Sequence, residues 1–329
     1  MNHLFLASTA FNIITASMVA NNLPTSDKAI LWLIDQPHET SNFINVVLLW
    51  KNSPFEEIRI VSHKAKTILA KKNRRKTLKL LVPQLDLVKP NHIYTGNDRR
   101  IEFQFLMHKT RHTRTIGHYI DDGTYSYIGK KSRWFGEPKI NNILKKITYG
   151  NWWQEPETIG ASKWIEYCHL AFPELAVEAL KQKKNIALPK NLTDKSFVDL
   201  TLLLTDGDIE FNKIDRVAIL PHSSVANDLI TEAILLKAAE GSHPALKNHP
   251  RNLEIKHSAN SLFKLDRSIP MEVYLTMLSS ECLIIGDVST ALLTTKWLRP
   301  DLNVIAFYKT ESKLLKLMKK VGIKTIKII

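Results

Sequence analysis

Cysteine, glycine and long apolar runs are all scarce in this chain, and each shortage removes a class of protein. The only cysteines are Cys168 and Cys282. They lie far apart and form no CxxC pair, so they read as buried thiols, with neither a disulfide nor a metal site expected. Eleven glycines among 329 residues make fibrous and disordered classes poor fits. Nowhere do the roughly eighteen apolar residues of a membrane span run together. The N-terminal LFLASTAFNIITASMVANNL lacks a basic flank, and Ser8, Thr9 and Asn12 break its apolar run. It reads as a buried strand followed by a helix rather than as a signal peptide, and a cytoplasmic protein is expected.

Acidic residues are also in deficit: 46 Lys and Arg stand against 32 Asp and Glu, a formal charge of +14. Such an excess needs an acidic partner or surface. The densest cluster is Lys71, Lys72, Arg74, Arg75 and Lys76, in a segment that reads as helical. Lys145, Lys146, Lys181, Lys183 and Lys184 add to it, and Lys313, Lys316, Lys319 and Lys320 line a C-terminal helix. A solvated face is one explanation; anionic lipid headgroups and an acidic glycan are others. Nucleic acid is the least favoured partner, because aromatics do not interleave with the clusters and no zinc-finger, KH or RRM signature occurs.

What is present is a rhythm. Short apolar runs (Leu4–Ala7, Ala29–Ile34, Ile58–Val61, Ile116–Ile120) alternate with helical stretches such as Ala10–Asn21 and Arg100–His108. The pattern returns with Val217–Leu220, Val225–Ala239, Leu246–Lys247, Met271–Leu278, Leu283–Ile285, Thr290–Leu298, Val304–Phe307, Ser312–Val321 and Ile323–Ile328. Alternating βαβα predicts parallel sheets covered by helices on both faces. The expected class is therefore α/β, as two Rossmann-like lobes facing a cleft, over residues 1–200 and 201–329. The join is expected between Asn185 and Asp215, where Pro189, Asn191, Asp194 and Asp206-Gly207-Asp208 cluster.

In parallel sheets, chemistry collects where strands end and helices begin. Three such places carry unusual polar groups. In HYIDDGTYSY an apolar strand ends in Asp121 and Asp122, followed by Gly123, whose freedom at positive φ permits a sharp turn. Adjacent carboxylates repel, which raises the pKa of one and suits it to act as a general base; a plain Asp-Gly turn is the alternative. In KNHPRN, Pro250 keeps His249 out of a helix. There His249, Lys247 and Arg251 would make a cationic corner suited to phosphate, or simply a loop. In IIGDVSTALL, Ser289 and Thr290 open a helix and are either a cap or an anion site. Ser223, in the loop after Val217–Leu220, is a further candidate beside a nucleotide, although a structural turn is the role that the segment favours.

In this order the three islands resemble the bacterial sialyltransferases of the lipooligosaccharide and capsular polysialyltransferase groups. Those share an acidic-acidic-glycine motif, a His-Pro motif and a Ser-Ser or Ser-Thr pair, here Asp121-Asp122-Gly123, His249-Pro250 and Ser289-Thr290, with Thr124 and Tyr127 extending the first. The resemblance implies a GT-B fold whose first lobe takes the acceptor and whose second holds CMP. It implies inverting, metal-independent transfer of sialic acid or a related nonulosonic acid from a CMP donor, with no cofactor, to an oligosaccharide or lipid-linked glycan of lipooligosaccharide, O-antigen or capsule. Asp121 would be the base, with Asp122 ordering the loop or holding the acceptor. His249, Ser289 and Thr290 would meet the departing phosphate. A peripheral position on the inner face of the cytoplasmic membrane accords with the basic clusters. CMP-Kdo or a UDP-sugar remains an alternative donor, and a non-enzymatic basic binding protein an alternative class.

Overall fold

Runs too short to cover a core alone must pair side by side, and in the computed structural model they do so twice. The structure describes residues 1–37, 39, 41–63, 68–129, 137–205, 210–252 and 261–329, with backbone only at 68–73, 75 and 137–141. The chain forms two units, Met1–Asn191 and Leu192–Ile329. In the first, strands β1 (Asn2–Ala7), β2 (Lys28–Leu33), β3 (Glu57–Ile60), β4 (His92–Thr95), β5 (Ile116–Ile120), β6 (Ile165–Leu170) and β7 (Lys184–Ala187) alternate with helices. These are α1 (Ala10–Ala20), α2 (Asn42–Leu48), α3 (Ile68–Val88), α4 (Ile101–Lys109), α5 (Tyr125–Ile128), α6 (Glu137–Tyr149) and α7 (Glu178–Lys181).

The second unit opens with α8 (Lys195–Leu204). It continues through β8 (Arg216–Ile219), α9 (Asp228–Ala239), β9 (Pro244–Lys247), β10 (Phe263–Leu265) and α10 (Met271–Tyr274). It closes with β11 (Leu283–Asp287), α11 (Thr290–Leu298), β12 (Asn303–Tyr308), α12 (Lys313–Lys320) and β13 (Lys324–Lys327).

The sheets run β3-β2-β1-β4-β5-β6-β7 and β10-β9-β8-β11-β12-β13, and their pairings are parallel. Each begins at a central strand, walks outward, then crosses back beside that strand and walks the other way. This is the doubly wound order, with its switch points at β1/β4 and β8/β11.

Residue 200 lies inside α8, so the division at Asn191/Leu192 falls earlier than the expected 200/201. Phe197, Leu200 and Leu204 are buried along α8; this helical spacing was obscured by the Pro and Asp punctuation around it. Asp206-Gly207-Asp208 lies outside the described residues. The helix expected over Met271–Leu278 closes after one turn. Beyond it, Thr276 N–H bonds Val273 O and Met277 N–H bonds Tyr274 O, tighter contacts than α-helical ones. Both cysteines are buried free thiols, pushed up to about 12 by burial.

One face of the first sheet (Leu4, Leu6, Ile93, Tyr119, Cys168) packs on Leu78, Leu81 and Leu85 of α3 and Phe103 and Leu106 of α4. The other face carries a row of rings. His92 Nδ1 meets His118 Nε2 at 2.9 Å, and His118 Nδ1 meets His169 Nε2 at 3.1 Å. His3 stacks on His92 with centroids 4.6 Å apart. Burial holds these imidazoles neutral, lowering His169 to about 4 and His118 to about 2, with neighbouring histidines adding to the effect on His118.

These lowered values make a pH prediction. Their contribution to stability is complete above the unfolded value near ~6.5 and is lost as pH falls from there toward the folded values. His118→Gln removes one such proton site. Between pH 6.5 and 4.5, urea denaturation should show the stability gap between the two proteins shifting in the variant's favour by about 1.4 kcal/mol per pH unit. A gap that stays constant over that range would show that His118 is not held neutral.

Candidate active site

The carboxyl edge of the first sheet is lined by polar side chains from the ends of successive strands. Asp121 and Asp122 follow β5, and Gly123 turns the chain at φ 107°, as an acidic pair followed by a turn requires. The two carboxylates have different surroundings. Asp121 is buried, and both of its oxygens are engaged. Oδ1 accepts from Gly123 N at 3.0 Å and from Ser126 Oγ at 2.7 Å. Oδ2 accepts from Ala171 N at 3.1 Å and from the Tyr127 hydroxyl. Burial raises its pKa, and the four donors oppose the rise. Asp121 thus joins the ends of β5 and β6 to α5.

Asp122 is half-buried and accepts one bond, from Asn12 Nδ2 to Oδ1 at 2.7 Å. No bond to its Oδ2 is found among the described residues. Its carboxyl is pushed up to about 7, chiefly by burial; Asn12 opposes this, Asp121 reinforces it and Arg100 opposes it. Repulsion between the two aspartates, expected from their adjacency, is therefore present but secondary to burial.

Asn12 is itself fixed. Its Oδ1 accepts from Ser8 N at 3.4 Å and Ser8 Oγ at 3.3 Å, which turns Nδ2 toward Asp122. The absence of a side chain at Gly96 makes room for it, since a Cβ there would lie 2.2 Å from Asn12 Nδ2. Arg100 reaches Ser8 Oγ at 3.2 Å and pairs with Asp35. Arg74 continues the chain to Asp35 at 3.4 Å and to Glu102 at 2.7 Å. Sequence reasoning passed over Asn12, Gly96 and Arg100. The available signal was Ser8, Thr9 and Asn12 interrupting an apolar run at a strand end.

In the second unit, β9, β8 and β11 are neighbours, so the three candidate loops emerge side by side. His249 follows β9, and its Nδ1 accepts from Arg251 N at 3.2 Å. In the neutral ring the proton therefore sits on Nε2. Its pKa is lowered by burial first, then by His222, Arg251 and Lys247, so the free ring is neutral rather than the expected imidazolium. Lys247 does not belong to a presented cationic corner. It is buried, its Nζ donates to the carbonyls of Asn248 (3.3 Å) and Arg267 (3.1 Å), and burial lowers it to about 8. Pro250 lies in the turn closed by Asn252 N–H on His249 O at 2.9 Å.

Asn252 links the β9 and β8 loops. Its Oδ1 accepts from Ser223 N at 2.9 Å, and its Nδ2 donates to Pro221 O and Asn248 Oδ1, both at 2.8 Å. Ser223 thus contributes its backbone to the loop, with its side chain exposed. Ser289 occupies the N-cap position of α11, but its hydroxyl makes no capping bond. Burial raises the nearby Asp287 carboxyl, and proximity to the Ser289 hydroxyl opposes this. Among the described residues, Asp287 Oδ1 and Ser289 Oγ are buried and have no hydrogen-bond partner. Thr290 begins the helix, half-buried. His249 and Ser289 belong to strands two apart, about 10 Å, with the β8 loop between them.

Several expected surface cations have internal duties. Lys183 donates to the carbonyls of Ser162 and Ile165, Lys184 pairs with Glu166, and Lys145 lies 4.1 Å over the Trp153 ring. Lys313, Lys316 and Lys320 of α12 are exposed, while Lys319 pairs with Glu311 at 3.1 Å. No three His, Cys, Asp or Glu among the described residues are grouped to hold a metal ion, and no described helix is long and apolar enough to cross a membrane.

The family model for alpha-2,8-polysialyltransferase (POLYST) matches residues 2–308, and the chain belongs to that family. No curated protein matches it. Among solved structures it is similar to a UDP-N-acetylglucosamine 2-epimerase (TM-score 0.56, 11% identity, 99% of this chain and 83% of that one). It is also similar to the kitacinnamycin glycotransferase (0.56, 9%, 99% and 86%) and to a UDP-glucosyltransferase from Polygonum tinctorium (0.54, 7%, 96% and 82%). At these identities the likeness shows the fold, two parallel-sheet α/β domains of GT-B type. Family membership makes the chain a glycosyltransferase and sets aside the alternative of a non-enzymatic basic protein.

The unequal settings of the two aspartates predict unequal costs. Asp121→Ala strands up to four buried donors and should lower the unfolding free energy by about 3 kcal/mol or more. Asp122→Ala frees one amide and removes a carboxyl raised by burial, and should change stability by less than about 1 kcal/mol. Urea denaturation of both variants checks the order, and a larger loss at Asp122 would contradict it.

Proposed function

We propose that this glycosyltransferase of the alpha-2,8-polysialyltransferase family moves sialic acid, or a related nonulosonic acid, from a CMP donor to a hydroxyl of a surface glycan with inversion. The observation that carries the mechanism is Asp122, which is poised near 7 and, among the described residues, hydrogen-bonded through one oxygen. In this proposal Asp122 removes the acceptor hydroxyl proton as that oxygen bonds to the anomeric carbon. The bond from the anomeric carbon to the phosphate oxygen breaks, and CMP departs with the electron pair.

Asp122 takes the base role that the family resemblance first suggested for Asp121. Four donors already occupy Asp121, which positions its neighbour. His249, through Nε2–H, and the amides and hydroxyls of Ser289 and Thr290 meet the charge growing on the phosphate. Neutral donors of this kind support a reaction without a divalent metal, so activity should survive EDTA. The exposed lysines of α12 fit a peripheral position on an anionic membrane. Failure to float with anionic vesicles at low salt would remove that part.

A base must be ionised, so kcat/KM should fall as pH drops below about 7, following the Asp122 value. Asp122→Asn should lose about 10²–10⁴-fold in CMP release driven by an acceptor and should lose the acid limb of the profile. Asp121→Asn should keep that limb in whatever fraction folds. The reverse pattern would return the base role to Asp121.

A further inference from the structure

Resting on the donor site proposed above, we propose that His222 is a second phosphate-binding imidazole, paired with His249. The strand order places it there: β8 lies between β9 and β11, so the loop after β8 fills the gap between His249 and Ser289. The rings of His222 and His249 stand edge to face, with centroids 5.0 Å apart and planes at 84°.

Each ring is held in the same way. His249 Nδ1 accepts from the backbone N–H two residues on, Arg251, at 3.2 Å. His222 Nδ1 accepts from the N–H two residues on, Ser224, at 3.2 Å, with Ser224 Oγ at 2.6 Å. In both neutral rings this puts the proton on Nε2, and among the described residues neither Nε2 has a hydrogen-bond partner.

The two loops come from different strands, yet their register is fixed. Asn252 bonds Ser223 N, Pro221 O and Asn248 Oδ1, and Arg267 Nη1 holds Asn252 O at 2.5 Å. Two imidazole N–H donors side by side suit two oxygens of a phosphate monoester. Simple ring packing would explain the contact, but it does not require both Nδ1 atoms to be held by the backbone N–H two residues on.

The test is calorimetric titration of the full chain with CMP at pH 7. Four proteins are compared: wild type, His222→Phe, His222→Gln and His249→Ala. His222→Phe keeps a ring against His249 but has no N–H, whereas the Gln amide can replace the Nε2–H donor. The expected result is about a tenfold or greater loss of CMP affinity in His222→Phe, recovery to within about threefold in His222→Gln, and loss in His249→Ala. Wild-type affinity in His222→Phe alongside loss in His249→Ala overturns the paired role and leaves the donor site standing. Equal loss in the Phe and Gln variants also overturns it, because the N–H would then not be what matters. Unchanged affinity in all three variants overturns the donor site itself, and this pairing with it.

Discussion

The carboxylate of Asp121 is the fixed point of the first unit. It takes donors from the turn at Gly123, from two side chains of α5 and from the backbone of Ala171 just beyond β6. A buried carboxylate with fewer partners would be costly; with four, it fixes where β5 stops and how the chain leaves it. Asp122 is the next residue, so its place follows from that anchorage. The chain from Glu102 through Arg74, Asp35, Arg100, Ser8 and Asn12 reaches it from β1, β2 and α4. One aspartate is used up in building the edge, and the other, among the described residues, is bonded through one oxygen.

The second unit ties its loops with an amide where the first uses a carboxylate. Its three candidate loops leave adjacent strands, and Asn252 ties two of them together through the groups of its amide. The cations expected to attract phosphate are used differently: Lys247 satisfies carbonyls inside the fold, and His249 is kept neutral. What the edge offers instead is N–H groups of fixed direction, two imidazoles and the start of α11, where the Ser289 hydroxyl makes no capping bond. Preorganised neutral donors can meet a charge that grows during bond breaking without repelling one another beforehand.

The doubly wound architecture was legible because its signal is periodic. β5 runs from Ile116 to Ile120 as expected, and β1, β2, β3, β8, β9, β11, β12, β13, α1, α4, α9, α11 and α12 lie within a few residues of their expected places, whereas β7, β10, α2, α5, α6 and α7 have no counterpart among the expected elements. β4 and β6 escaped because His92, Tyr94, Tyr167 and His169 interrupt what should look like apolar strands; those rings pair with one another across the sheet, a compensation visible only once the strands are aligned. α8 escaped for the opposite reason, as an apolar helix enclosed by turn residues. The rule about strand ends pointed to Asp121, Asp122, His249 and Ser289, and the structure places them just beyond β5, β9 and β11. It did not rank the two aspartates, because their difference lies in donors from residues 126, 127 and 171. Nor did it point to Asn12 or His222, since Asn12 meets Asp122 and His222 meets His249 only once the strands are aligned.

In the function proposed for this chain, the second unit's edge receives the phosphate of a cytidine nucleotide. Thermal unfolding of the full chain with CMP, UDP and GDP tests it most directly, because selective binding to the folded state raises Tm by mass action. The account predicts a shift with CMP that is absent with UDP and GDP and disappears in His249→Ala. A shift with UDP alone, or a CMP shift that survives in His249→Ala, would contradict it.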